Sequence, residues 1–174
     1  MAKVSFNKLG LKINNNINTF TFNEQEIEVK EYLSTNEKLS LISDIINNCA
    51  EDQKFYNPGK LEIFSVITII EYYTNIKFTD KQKEDVVKLY DLFISSNLKT
   101  TIFELIPQSE LNFISTTITE TIKSIYSYNN SIYGILDNIA NDYDGMNFDI
   151  NHLWEQLANK ENLGFLQEVI QKMG

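Results

Sequence analysis

The spacing of hydrophobic residues along this chain changes near residue 33. Before that point, residues 19–22 and 26–30 alternate polar and apolar side chains, as strands with one covered face do. Residues 8–13 are a candidate third strand. Farther along, apolar residues recur every three or four positions, which is typical of amphipathic helices. The pattern predicts a β-element in residues 1–33 and a helical body in residues 34–174.

The alternation assigns a face to each side chain of the predicted hairpin, whose polar turn is residues 23–25. The side chains expected to face the core are Phe20, Phe22, Ile27 and Val29, with Tyr32 and Leu33 joining the hairpin to the first helix. The outward side chains form one candidate partner surface: Thr19, Thr21, Glu26 and Glu28. An isolated hairpin is marginally stable, and its edge carries unpaired backbone groups. The hairpin therefore either covers one end of the helical core or binds a partner by strand addition.

Three capping patterns predict helix starts in the body. Ser34 and Glu37 match a capping box, Asn57-Pro58 places proline in a first turn, and Thr79 begins a further cap. The expected apolar stripes are Leu39, Ile42, Ile45, Ile46 and Cys49; Leu61, Phe64, Ile67, Ile70 and Tyr73; and Val86, Leu89, Tyr90 and Phe93. A short helix carrying Ile102, Leu105 and Ile106 is expected to end at Pro107.

Residues 109–143 carry conflicting signals. Residues 116–119 are β-branched and favour a strand, but apolar positions follow helical spacing over many turns. We expect one long helix, with a break near residues 128–130 left open, and two short helices at 149–158 and 163–173. The predicted fold is mainly α (α+β): a single domain of residues 1–174 with six or seven helices and a small N-terminal β-hairpin.

Charge and composition exclude several functions. The net charge is −9, and all 15 basic residues are lysine, so there is no guanidinium to grip phosphate or a base edge. Nucleic-acid binding is therefore not expected. The chain has no apolar run long enough for a membrane span and no secretion signal at its start, which predicts a soluble intracellular protein that does not bind membranes.

The residues that normally carry chemistry are few. His152 is the only histidine and Cys49 is the only cysteine. An EF-hand loop starting at Asp142, in the acidic stretch of residues 142–149, would need glycine at its sixth position and glutamate at its twelfth, where the chain has Asn147 and Leu153. No serine-nucleophile or phosphate-binding motif is present. We therefore expect no enzymatic activity, no bound metal and no cofactor.

The remaining candidates are surface side chains suited to binding protein. Residues 137–174 have a net charge of −5 and include Asp142 and Asp144, and Tyr126 and Tyr128 lie in polar surroundings. Acidic surfaces steer basic partners, and tyrosine is enriched at interaction hot spots. These four residues, with the outer face of the hairpin, are the predicted partner surface.

Three blocks, residues 26–33, 55–61 and 73–85, resemble a family of small acidic proteins from bacteriophages that infect low-GC Gram-positive bacteria. The abundant asparagine, isoleucine and lysine agree with an AT-rich source. In size and style the chain is also similar to phage tail assembly chaperones, which bind the tape-measure protein and shield its hydrophobic helix.

The resemblance implies a non-enzymatic protein-binding or assembly factor, acting in virion (tail) assembly in the host cytoplasm. Two alternatives stay open. One is a virion structural component. The other is a phage inhibitor of a host defence system, acting by protein binding, nucleic-acid mimicry or small-molecule sequestration. The implied partner is a phage assembly protein or a host protein, and homo-oligomerisation is also left open.

Overall fold

A computed structural model describes residues 3–51 and 55–135. The chain divides into two compact units, residues 1–123 and 124–174. The described part is mainly helical and has an antiparallel hairpin near its N-terminus, which confirms the predicted fold class. The assignment of all 174 residues to a single domain stays a prediction.

Seven helices have both ends within the described residues. A 3-10 helix, Phe6–Leu9, comes first. The elements that follow are β1 (Ile17–Phe22), β2 (Gln25–Lys30), α1 (Thr35–Cys49), β3 (Ala50–Glu51), β4 (Phe55–Tyr56), α2 (Pro58–Tyr73), α3 (Asp80–Lys83), α4 (Val86–Ser95), α5 (Leu98–Leu105) and α6 (Gln108–Asn129). The minor strands β3 and β4 pair with each other in an antiparallel manner.

The predicted hairpin is confirmed and has a shorter turn than expected. Strands β1 and β2 pair antiparallel with Phe22 opposite Gln25, so only Asn23 and Glu24 form the turn. Both turn residues have positive φ, 47° and 64°, as a type I′ turn requires. The twist of that turn matches the twist of the paired strands, which makes it a favoured two-residue hairpin connection.

The faces of the hairpin are also as predicted. Its outward side chains are exposed, and its inner face is covered to differing degrees. Val29 is fully buried, whereas Phe20, Phe22 and Ile27 are half-buried. The hairpin therefore packs on the helical body most tightly at the end near α1.

The prediction of a third strand at residues 8–13 is wrong. This stretch begins in the 3-10 helix, which ends at Gly10 with φ 60°, and it pairs with no strand in the described residues. Asn14 and Asn16 instead donate hydrogen bonds to the Glu31 carboxylate beyond the end of β2. These bonds hold Asn14 and Asn16 against Glu31, and the residues before them do not pair with β1.

Helix α1 starts at the predicted capping box, but its buried stripe differs from the prediction. The Ser34 hydroxyl accepts from the Glu37 N–H, and the Glu37 carboxylate accepts from the Ser34 N–H. Leu39 is 52% exposed, whereas Lys38 is buried. The expected stripe is wrong at this turn because sequence spacing shows no counter-charge for a buried lysine. The buried residues of α1 are Lys38, Leu41, Ile42, Ile45, Ile46 and Cys49.

The next two caps are confirmed. Asn57 accepts from the N–H groups of Gly59 and Lys60 at the start of α2, a helix whose second half is buried. Thr79 forms a capping box with Gln82, but the helix that it caps, α3, is only four residues long. Asp85 then caps α4 separately by accepting from the Lys88 N–H. The predicted third helix is therefore two pieces.

The conflict in the stretch that begins at residue 109 is resolved in favour of helix. Helix α6 continues through the β-branched residues 116–119 and ends at Asn129, and helical structure resumes at residues 132–135. The break thus falls next to the predicted position. Residues 136–143 and the two predicted short helices lie outside the described residues.

A buried carboxylate joins four segments of the first unit. Glu110 on α6 lies 2.7 Å from the Lys38 ammonium of α1 and accepts a 3.0 Å hydrogen bond from the Tyr73 hydroxyl of α2. It also accepts from the backbone N–H of Leu33, between the hairpin and α1. The Lys38 ammonium lies over the Tyr32 ring, 4.1 Å from its centroid. This Glu110 cluster satisfies each buried polar group with a partner from another segment.

Replacing Glu110 with leucine is expected to destabilise the protein by about 3–5 kcal/mol, because it leaves a buried lysine without its counter-charge. Urea unfolding measures this loss. The matched control is Glu120→Leu on the same helix, whose pair with Lys123 is 63–65% exposed. An exposed pair contributes about 1 kcal/mol or less.

The double variant Lys38→Met/Glu110→Leu is expected to recover part of that loss. The Tyr73 hydroxyl and the Leu33 N–H would still lack an acceptor, at about 1–3 kcal/mol each. Equal unfolding free energies for Glu110→Leu and Glu120→Leu would show that the cluster does not hold the fold.

Candidate interaction surface

The two outer edges of the hairpin can be assigned from its register. Next to a two-residue turn, facing residues alternate between pairs that exchange backbone hydrogen bonds and pairs whose groups point away from each other. Phe22 and Gln25 form the first bonded pair, and the 3.0 Å bond from the Glu31 N–H to the Asn16 carbonyl continues the same alternation. The backbone groups of Thr19 and Glu28 therefore point outward, one on each edge.

The edge of β2 is covered by Asn75, which follows α2. The Asn75 N–H donates to the Glu28 carbonyl, and its side-chain oxygen accepts from the Glu28 N–H at 3.2 Å. Its side-chain amide donates to the Glu26 carbonyl, also at 3.2 Å. A bridge between Val29 and Thr74 adjoins these contacts. One asparagine thus occupies the positions that a third strand would take.

The edge of β1 has no such cover among the residues that the structure describes. The outward backbone groups of Ile17, Thr19 and Thr21 have no hydrogen-bond partner there. The side chains of Thr19 and Thr21 are exposed, and Ile17 is 53% exposed. We call this row of groups the β1 edge. It presents the donors and acceptors that an added strand requires.

The segment ahead of β1 is an apolar, basic arm, which we define as residues 3–13. Every large apolar side chain of the arm is more than half exposed, namely Val4, Phe6, Leu9, Leu11 and Ile13. Lys3, Lys8 and Lys12 supply its charge. Monomeric proteins seldom expose so many neighbouring apolar side chains unless they form an interaction surface.

Three asparagines bind the start of β1 and the residues just before it to Glu31. The side-chain amides of Asn14 and Asn16 donate to one oxygen of the Glu31 carboxylate, and that of Asn18 donates to the other. These bonds lower the pKa of Glu31, that from Asn14 most strongly. We call this group the asparagine clasp. The sequence shows the asparagines, at positions 14, 15, 16 and 18, but does not show that Glu31 is their partner.

A second surface in the first unit is an apolar groove between α2, α5 and α6. Its volume is about 400 Å³. Glu62 and Lys99 are the charged side chains that line it. Its apolar lining includes Leu61, Val66, Ile69, Phe103, Leu111 and Ile118. The groove can accept apolar side chains of a partner protein.

The remaining predicted partner residues belong to the second unit. Tyr126 and Tyr128 lie near the end of α6, in the second unit, and Tyr128 is 51% exposed. Asp142 and Asp144 lie outside the described residues. The outer face of the hairpin, with Thr19, Thr21, Glu26 and Glu28, is exposed as expected.

The described residues bring no three potential metal ligands together in a single group. None of the described helices has the length and apolar character that a membrane-spanning helix needs. His152 lies outside the described residues. Comparison of the chain with protein-family models, curated proteins and solved structures finds no match. The bacteriophage resemblance therefore stays a prediction.

Cys49 is a packed core residue at the end of α1. Its side chain has no exposed surface, and burial raises the pKa of the thiol to about 11, although the charge of Lys60 opposes the rise. A neutral, inaccessible thiol is a poor nucleophile. This agrees with the interpretation of Cys49 as a small buried hydrophobe.

We expect the native Cys49 thiol to react with a disulfide reagent about a hundredfold more slowly than in urea, because reaction requires local opening.

Alkaline pH is expected to destabilise the fold. Since the pKa rises from 9.0 to about 11 on folding, the thiol's contribution is fully present below pH 9 and is lost as the pH rises through 11.

Urea unfolding at pH 8 and pH 10.5 measures this dependence. The loss of stability between the two pH values should be smaller in Cys49→Ala than in the natural chain. Equal losses in the two proteins would contradict the assignment to Cys49.

Proposed function

We propose that this protein is a non-enzymatic protein-binding factor that acts in bacteriophage virion assembly, most simply tail assembly. The observation that carries the proposal is the open β1 edge beside an exposed apolar arm. Strand addition along such an edge supplies backbone hydrogen bonds for affinity, and alternate side chains supply specificity. A catalytic site needs neither feature.

Two further observations support binding rather than catalysis. Cys49 is buried, and its thiol pKa is about 11, so it is not poised for attack. The groove between α2, α5 and α6 offers a second apolar surface of the first unit, where side chains of a partner can pack. Recognition of an apolar helix in a groove is a common mode of protein binding.

The assignment to a phage rests on the resembling sequence blocks. The block at residues 26–33 forms most of β2 and the link that reaches Glu110, and the block at residues 73–85 contains Asn75. The resemblance thus includes the residues that close one edge of the hairpin. It gives the proposal its biological setting.

Deletion of the gene from the phage is expected to abolish infectious particles and to leave heads without tails, as seen by electron microscopy. Mass spectrometry of purified wild-type particles should not detect the protein. Detection of stoichiometric protein in the particles would support a virion structural component instead. Normal particles, with growth lost only in hosts that carry a defence system, would support an inhibitor.

The variant Thr19→Pro is expected to lower the yield of infectious particles at least about tenfold, because proline removes an outward N–H that strand addition needs. The β1–β2 pairing should survive, since this N–H does not bond to β2. Thr19→Val is the matched control, because it keeps the N–H and changes the side chain alone. Equal yields from both variants, each shown to be folded by circular dichroism, would contradict the role of the β1 edge.

A further inference from the structure

We propose that the strand added to the β1 edge is the arm of a second copy of this chain, so that the protein forms a dimer by reciprocal exchange of arms. The inference rests on the proposed function and names the occupant of the same surface. Each copy has one arm to donate and one edge to receive it. Two such contacts are related by a two-fold axis, which closes the assembly at a dimer.

The asparagine clasp disfavours pairing of each arm with the β1 edge of its own copy. To return along β1, the chain would have to reverse direction at residues 14–16. No turn or bend occurs there. The Asn16 carbonyl accepts from the Glu31 N–H, the Asn16 N–H donates to the Asn14 side-chain oxygen, and the side-chain amides of Asn14 and Asn16 bind the Glu31 carboxylate. Within one copy, the arm accordingly pairs with no strand among the residues that the structure describes.

The side-chain pattern of the arm matches the two faces of the hairpin. Leu9, Leu11 and Ile13 alternate with Lys8, Gly10 and Lys12, so a strand made of these residues has one apolar and one basic face. Placed along β1, the apolar face would lie beside Phe20 and Phe22, which are only half-buried. The inner layer of the hairpin would then gain the cover that it lacks in a single copy.

Charge complementarity favours the same arrangement. With apolar side chains inward, Lys8 and Lys12 would lie on the outer face that carries Glu26 and Glu28. Residues 1–23 have a charge of +3 and no acidic residue, whereas the remainder of the chain carries −12, since the whole chain is −9. A basic arm is therefore attracted to the acidic body of another copy.

The required change in the arm is small. The 3-10 helix is a single turn, none of its residues is buried, and only part of it must unwind to extend residues 8–13. Short 3-10 segments are held by few contacts. Gly10, whose φ of 60° ends the helix, can adopt an extended conformation without a side chain in the way.

Sedimentation equilibrium of the full-length protein tests the exchange. We expect a dimer of about twice the 20.2 kDa chain mass. Two variants each remove one half of the contact: Leu11→Asp disables the arm, and Thr19→Pro disables the edge. Each is expected to raise the dimer dissociation constant at least about tenfold. Leu92→Asp on α4 is the matched control, because Leu92 is also exposed but lies outside the arm, and it should remain dimeric.

Mixing the two variants gives the decisive result. Neither variant can form an intact contact with itself, but one intact contact forms when the arm of Thr19→Pro meets the edge of Leu11→Asp. We therefore expect a heterodimer in the mixture, weaker than the natural dimer. Monomers in the mixture, or a monomeric natural protein at concentrations of about 100 µM, would overturn arm exchange.

The failure of arm exchange can be distinguished from failure of the proposed function. A monomeric natural protein whose Thr19→Pro variant still loses particle assembly would overturn only the exchange, because the edge would then serve a different protein. A dimer with the expected variant behaviour, from a gene whose deletion leaves tails intact, would overturn only the role in tail assembly.

Discussion

The Glu110 carboxylate joins four segments of the first unit that are far apart in the sequence. It pairs with Lys38 of α1, accepts from Tyr73 of α2 and from the Leu33 N–H, and is itself carried by α6. A buried charge is tolerated only when it is paired and its remaining hydrogen-bonding capacity is satisfied. The three helices and the end of the hairpin must therefore take up these positions together. The bond to Leu33 joins the link between the hairpin and α1 to this cluster.

The hairpin is covered unevenly along its length and on its two edges. Near α1, Val29 and Leu33 are fully buried. Toward the turn, the inner phenylalanines are half-buried, and Asn75 supplies hydrogen bonds to one edge only. The hairpin is thus held firmly where it meets the helices, whereas its β1 edge has no partner among the described residues. An incomplete edge on a firmly held support is suited to receiving a strand, because little additional order must be imposed on binding.

Local sequence signals were enough to predict most of the elements. The caps at Ser34, Asn57 and Thr79 and the alternating strands all depend on residues within a few positions of one another. Such signals are visible in a single sequence. The fold class and the exposed face of the hairpin followed from them.

The features that were not predicted depend on partners that are distant in sequence. Lys38 is buried where Leu39 was expected, because it pairs with Glu110. That partner is 72 residues away, on a helix whose position cannot be read from the spacing of residues. Likewise, the asparagines before β1 indicated only a loop, since their bonds to Glu31 arise after the hairpin has formed. The difference between the covered β2 edge and the open β1 edge was also not predicted, because Asn75, which covers β2, lies 47 residues from Glu28.

The long separation between Leu33 and Glu110 also has a consequence during synthesis. Chains emerge from the ribosome N-terminus first, and contacts between distant residues form only after both have been made. The arm and the hairpin appear early, but the carboxylate that accepts from the Leu33 N–H is 77 residues later in the chain. Until Glu110 has been made, the Leu33 N–H lacks this acceptor. If the arms exchange as proposed, identical chains being made on one messenger RNA are the nearest available partners at that stage.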